Sequence, residues 1–151
     1  MFDPKIIAFC CEESGIYAAE MAASLKLEIP PHIEIVPVPC AGRIETIFLM
    51  QALETDADGV FVFACHEENC QYLRGNIRAK MRLLYDRDRL EKIGLETGRL
   101  TICNLATNNG RKFIEVLREK VADLRTLGPN PFSSFRKKAI SEKGDFVRRS
   151  N

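Results

Sequence analysis

The residues that could do chemistry in this 151-residue chain are its cysteines, six in all. Five fall into three groups: Cys10 with Cys11, Cys40 alone, and Cys65 with Cys70. Several thiolates brought to one point bind a soft metal, either zinc or an iron–sulfur cluster. Structural zinc sites use closely spaced C-x-x-C pairs, and the sequence contains none. Ligands spread over three separate loops suit a [2Fe–2S] cluster better. For that chemistry to exist, the fold must bring the three groups together.

The elements that would position them alternate between strand and helix. Lys5 to Phe9 is an apolar run of strand length, and Ile33 to Val38 is rich in β-branched residues. Gly59 to Ala64 reads as a strand buried on both faces, and Arg99 to Leu105 as a fourth strand. Between them lie helical patterns. Ser14 stands where it could cap a first helix, with Ile16, Ala19, Ala22, Ala23 and Leu25 on one face. Ile44, Ile47 and Phe48 open a second helix. Tyr72 to about Ile93 fits a third, with a possible interruption at Asp86-Arg87-Asp88. Asn108-Asn109-Gly110 caps a fourth, whose stripe is Phe113, Val116, Leu117, Val121 and Leu124, and Gly128-Pro129 ends it. Strands separated by helices make right-handed βαβ units. The expected fold is α/β: a three-layer sandwich around a small four-stranded parallel sheet, flavodoxin- or Rossmann-like.

In such a sheet the carboxyl ends of the strands share one edge, where ligands bind. Cys10 and Cys11 close the first strand, Cys40 follows the second, Cys65 closes the third and Cys70 lies in the next loop. These thiols therefore converge. Adjacent residues leave a strand on opposite faces, so one of Cys10 and Cys11 reaches the site, and Cys11 is nearer the loop. Cys103, inside the fourth strand, reads as a core residue. Gly15 and Gly42 could let backbone N–H groups approach cluster sulfurs.

The segments around these cysteines resemble the delta subunit family of methyl-viologen-reducing hydrogenase, which also occurs fused to some heterodisulfide reductase subunits. The likeness is carried by Phe9-Cys10-Cys11, Pro39-Cys40-Ala41-Gly42-Arg43-Ile44 and Ala64-Cys65-His66-Glu67-Glu68-Asn69-Cys70-Gln71-Tyr72. Gly75-Asn76, Asp58-Gly59-Val60 and Gly110-Arg111-Lys112-Phe113 extend it over roughly residues 5–127. The resemblance implies one [2Fe–2S] cluster, with ligands at Cys11, Cys40, Cys65 and Cys70. It also implies electron relay between a hydrogenase or formate dehydrogenase and the FAD-containing, electron-bifurcating A-type flavoprotein of heterodisulfide reductase. The family often carries a further cysteine where this chain has Ser14.

Two neighbours of the cysteines are candidate cofactor-binding residues. His66 would tune a cluster by hydrogen bonding or, less simply, ligate iron; the plainer alternative is a loop histidine. Arg43 would stabilise a reduced, more anionic cluster, or else form a surface salt bridge. Arg74, Arg78 and Arg82 recur every four residues, on a face that is either solvated or docks an acidic partner.

Composition excludes much else. Apolar residues are 46% and charged residues 28%, as in ordinary globular domains. The net charge of +1 gives no field for nucleic acid. It divides unevenly, because residues 129–151 hold six basic and two acidic side chains and leave the rest acidic. Residues 1–128 are expected to form the iron–sulfur domain, with 129–151 a basic tail. No signal-peptide pattern or membrane-length apolar run is present, so a cytoplasmic location is expected. No phosphate loop or G-x-G-x-x-G follows the first strand. The sixth residues after Cys10, Cys11, Cys40, Cys65 and Cys70 are Ile16, Tyr17, Thr46, Gln71 and Asn76, so the cysteine-arginine pair of a phosphatase loop is missing. The expectation is a non-catalytic electron-transfer subunit of an oxidoreductase complex. The alternatives are a zinc- or thiol-dependent enzyme, or a cysteine-rich interaction module.

Overall fold

The computed structural model describes residues 2–66, 70 and 74–133. Four strands, β1 (Ile6–Cys11), β2 (Ile33–Val38), β3 (Gly59–Cys65) and β4 (Leu100–Leu105), form one parallel sheet in the order β2-β1-β3-β4. Helices α1 (Gly15–Ser24), α2 (Thr46–Thr55), α3 (Gly75–Lys92) and α4 (Gly110–Leu127) connect or follow the strands. The strand order reverses between β1 and β3. In open α/β sheets that switch point is where the carboxyl edge opens a crevice.

Strand β3 shows why three layers form. All seven of its residues are buried. Phe61 and Phe63 pack with Ala18 and Ala22 of α1 and Phe113 and Leu117 of α4. Val60, Val62 and Ala64 pack with Leu49 and Leu53 of α2 and Leu83 and Leu90 of α3. The alternation of a strand thus distributes one sequence run between two cores. The rings of Phe63 and Phe113 meet with centroids 4.8 Å apart, tilted by 50°.

Several local expectations shift. Helix α1 buries Ala18 and Ala22, while Ala23 and Leu25 face outward. Helix α2 begins only at Thr46, after a 3-10 turn at Ala41–Arg43. Its buried face is Leu49, Ala52 and Leu53, so Ile47 and Phe48 are half-exposed and Ile44 packs before the helix starts. Helix α3 runs without a break through Asp86-Arg87-Asp88, because Asp86 turns inward. There its Oδ1 accepts from Thr46 Oγ1 at 2.9 Å. Tyr72, the expected start of this helix, lies outside the described residues. Arg99 belongs to a 3-10 turn before β4, fully buried, with its Nε 2.8 Å from Glu96. Asn109 caps α4, accepting from the Lys112 N–H at 3.2 Å, as its position predicts.

The amino edge of the sheet is closed by a buried polar network. Asp58 accepts from the backbone N–H groups of Lys5 at 2.9 Å and Asn130 at 2.8 Å. The Asn130 amide donates to Leu53 O and Ala57 O at 2.7 and 2.8 Å. Arg99 donates to Asp58 O at 3.0 Å. Residues just beyond α4 are therefore part of the packed body as far as Ser133, itself buried. The basic stretch from residue 134 onward lies outside the described residues.

Candidate metal centre

Four cysteines meet at the carboxyl edge, around the switch point. Cys11 ends β1 and Cys65 ends β3, and their Sγ atoms are 3.5 Å apart. Cys40 precedes the Ala41–Arg43 turn, and its thiol is in hydrogen-bonding contact with that of Cys70. Cys11 Sγ also lies 3.9 Å from Pro39 O, which links the end of β1 to the segment carrying Cys40. The set is thus two touching pairs, with each pair close enough for its charge to act on the other. No disulfide joins any of the six cysteines.

Cys10 goes elsewhere. It shares the side of β1 occupied by Ile6 and Ala8, is fully buried in the α1/α4 core, and points its thiol towards Ala8 O. Burial, with a smaller effect from Cys11, pushes its pKa up to about 12, so it stays a thiol. Cys103 is half-buried against the same core, away from the four. Burial likewise raises the pKa of Cys40 and carries that of Cys65 up to about 11.

Room for the Cys40–Cys70 pair depends on two glycines. A Cβ on Gly75 would stand 2.2 Å from Cys40 Sγ and 3.4 Å from Cys70 Sγ. A Cβ on Gly42 would stand 2.7 Å from Gly75 Cα. The 3-10 turn and the start of α3 therefore touch backbone to backbone beside the sulfurs. Arg82 fastens the same turn from α3 by donating through Nη1 to Gly42 O at 3.2 Å and to Ile44 O. The expected arginine face is accordingly divided: Arg82 is a structural clamp, whereas Arg78 lines an opening beside Cys40.

The Cys65 side is held by amides. Asn104 Nδ2 donates to Cys65 O at 2.6 Å. Asn76 Nδ2 reaches Cys65 O at 3.3 Å and His66 O at 3.0 Å, while Asn76 Oδ1 accepts from the Ile77 N–H. Neither asparagine advertises this role in the sequence. Asn76 lies in a recognisable segment, but only the sheet order brings Asn104 of β4 beside the end of β3.

Arg43 and His66 stand at two openings that flank the sulfurs. Arg43 is exposed and lines a cavity of about 220 Å³ with Cys40, Gly42, Gly75 and Arg78. His66 is exposed and lines a second, of about 270 Å³, with Glu13, Ser14 and Cys65. Ser14 occupies the cap position of α1, but its side chain makes no capping bond. Its backbone, at φ −146° and ψ −63°, is outside the extended conformation that usually aims a cap side chain at the first turn. The expected cap is thus not made.

The donor set has the right chemistry for an iron–sulfur group. It offers four sulfurs, two pairs and a glycine-lined recess. Among the described residues, no three ligating side chains converge as a ready site for a single metal ion. Among the described residues no helix is long and apolar enough to cross a membrane.

Comparison with known proteins agrees with this chemistry. A relative from Archaeoglobus profundus, the D-type iron-sulfur subunit of an F420-non-reducing hydrogenase, is 38% identical over 131 residues, covering 87% of this chain and 96% of its own. The corresponding vhu protein of Methanocaldococcus jannaschii is 31% identical over 132 residues, covering 87% and 98%. The A-type subunit of a CoB-CoM heterodisulfide reductase from Methanosarcina acetivorans is 30% identical over 126 residues, which are 83% of this chain but 16% of that much longer protein. Residues 6–128 match the family described as methyl-viologen-reducing hydrogenase, delta subunit, and the chain belongs to that family.

Proposed function

We propose that this protein is an electron-transfer subunit holding one [2Fe–2S] cluster on Cys11, Cys40, Cys65 and Cys70. The observation that carries this reading is the meeting of four thiols, two at strand ends and two on connecting segments, in two touching pairs at the switch point of the sheet. The cluster, when bound, supplies reversible one-electron chemistry. The chain's own residues do the rest. Cys11 and Cys65 are presented by hydrogen-bonded strands, Cys40 by the segment before the 3-10 turn, and the sulfurs of Cys40 and Cys70 lie against Gly75. Asn76 and Asn104 fix the backbone of Cys65. Arg43 and Arg78 place positive charge beside Cys40, where it would offset the charge gained on reduction. His66 stands at the other opening, where it would tune the site rather than ligate it.

The relatives' names place those proteins in hydrogenases and heterodisulfide reductases. The donor proposed for this chain is a hydrogenase or formate dehydrogenase module. The acceptor is a heterodisulfide-reductase-A-like FAD protein, in a cytoplasmic complex. The match between this chain and a segment of two A-type heterodisulfide reductase proteins supports direct contact between this chain and an A-type partner.

The test is anaerobic purification of the full chain with iron and sulfide analysis and EPR. Equal iron and sulfide, with a reducible signal of two-iron type, is the expected result. A colourless protein with stoichiometric zinc after proper reconstitution overturns the reading. Co-purification with a flavin-containing partner tests the relay role.

A further inference from the structure

Ser14 has a buried hydroxyl that the fold does not use. The residue is 2% exposed, and its Oγ is closed to solvent. It does not cap α1, although it stands at the cap. It makes no hydrogen bond of standard geometry to any group of the described chain. A buried hydroxyl left in this state is unfavourable, so such groups almost always have a partner in the working state of a protein. The Ser14 backbone is pinned on both sides: its N–H donates to Cys11 O at 3.2 Å, and its carbonyl accepts from the Ala18 N–H at 2.9 Å.

What the hydroxyl stands beside is the Cys65 sulfur. Ser14 and Cys65 line the same cavity of about 270 Å³, with the hydroxyl within side-chain hydrogen-bonding reach of the sulfur. A neutral thiol is a weak acceptor, whereas a thiolate bound to iron is a good one. The missing partner of Ser14 Oγ appears when Cys65 becomes a ligand.

We infer that Ser14 is a positioning residue that donates its hydroxyl hydrogen to the Cys65 sulfur of the bound cluster and raises the cluster's reduction potential. This rests on the cluster assignment proposed above. Reduction adds one negative charge to the site, and a donor aimed at a ligand sulfur stabilises that charge more than the oxidised state. The proton remains on Ser14 Oγ throughout; one electron arrives, no bond is broken, and none is formed to the serine oxygen.

The experiment uses the full chain, loaded anaerobically with iron and sulfide, as wild type, Ser14→Ala and Ser14→Thr. Iron and sulfide per chain are measured first, then the midpoint potential by dithionite titration followed by EPR. Ser14→Ala is expected to load like wild type but with its reduction equilibrium about tenfold less favourable, a fall of about 59 mV for one electron. Ser14→Thr, which keeps the hydroxyl, should restore the potential. Proton ENDOR should show a strongly coupled exchangeable proton in wild type that Ser14→Ala lacks. Full loading with an unchanged potential overturns the inference. So does a folded Ser14→Ala protein that no longer binds iron, since the oxygen would then hold the cluster rather than tune it. Failure of the wild type itself to take up iron and sulfide is a distinct result, and it removes the cluster assignment together with this role for Ser14.

Discussion

The two thiol pairs occupy the same edge, yet different kinds of structure hold them. Cys11 and Cys65 end neighbouring strands just past their shared ladder, and their Sγ atoms lie 3.5 Å apart. Cys40 and Cys70 lie on connecting segments. Their place depends on two glycines in backbone contact and on one arginine clamp. The strand-borne pair comes with folding. The loop-borne pair is built on top of the fold and could be lost without unfolding it. Stability and cofactor retention should therefore respond to different substitutions.

The largest expected effect breaks both pairs equally. Cys40→Ser and Cys65→Ser should each abolish the iron–sulfur absorbance, whereas Cys10→Ala and Cys103→Ser should leave iron content unchanged; iron and sulfide assays on the reconstituted variants check this. A cluster that survives Cys65→Ser would remove the strand-borne pair from the site.

A second test separates the pairs. Gly75→Ala puts a methyl where Cys40 Sγ now lies, so Cys40 must leave its position. Iron retention should fall by at least about tenfold, equivalent to about 1.4 kcal/mol, with little change in Tm. Competition with a chelator, alongside thermal melts, reads both quantities. A loaded Gly75→Ala protein of wild-type affinity would show that the recess is not the site.

The converse comes from the core. Phe113→Ala removes the ring packed on Phe63 and should cost about 3–5 kcal/mol of stability in denaturant unfolding. Iron bound per folded molecule should stay the same, because the loss falls beneath the strands rather than at their ends.

The smallest effect concerns pH. Burial raises the Asp86 carboxyl pKa above 3.8, against the opposing Thr46 hydrogen bond and the charges of Arg89 and Arg82. Above about pH 3.8, and up to the raised value, the folded protein therefore binds a proton there more readily than the unfolded chain. The Asp86 contribution to stability is greatest at low pH and declines as pH rises above about 3.8, levelling off past the raised value. Asp86→Asn should flatten that part of the Tm–pH curve; an unchanged slope would assign it to other groups.

Most of the fold was legible because β3 and α4 are unambiguous. One is a fully apolar run between turn signals, and the other has a clean stripe that the structure buries entirely. Errors of face fell at α1, where Ala recurs too often for spacing alone to tell the buried side, and at α2. Ile47 and Phe48 look like core and are half-exposed, because the 3-10 turn at Ala41–Arg43 delays the helix and rotates its register. At the site, the meeting of cysteines could be read from strand ends. Their supports could not. Asn104, Arg82 and the contact of Gly42 with Gly75 join residues tens of positions apart in the chain, or depend on a backbone approach that no pattern encodes.

The Asn130 network has a consequence for how the molecule can be tethered. Asn130 is locked to Leu53, Ala57 and Asp58 at the amino edge of the sheet, and β3 spans its seven residues before reaching Cys65, about 20 Å away. The described chain thus ends, at Ser133, just past an anchor at the pole opposite the sulfurs. Attachment there need not sit in the electron path, so the protein could be moored at one pole and wired at the other.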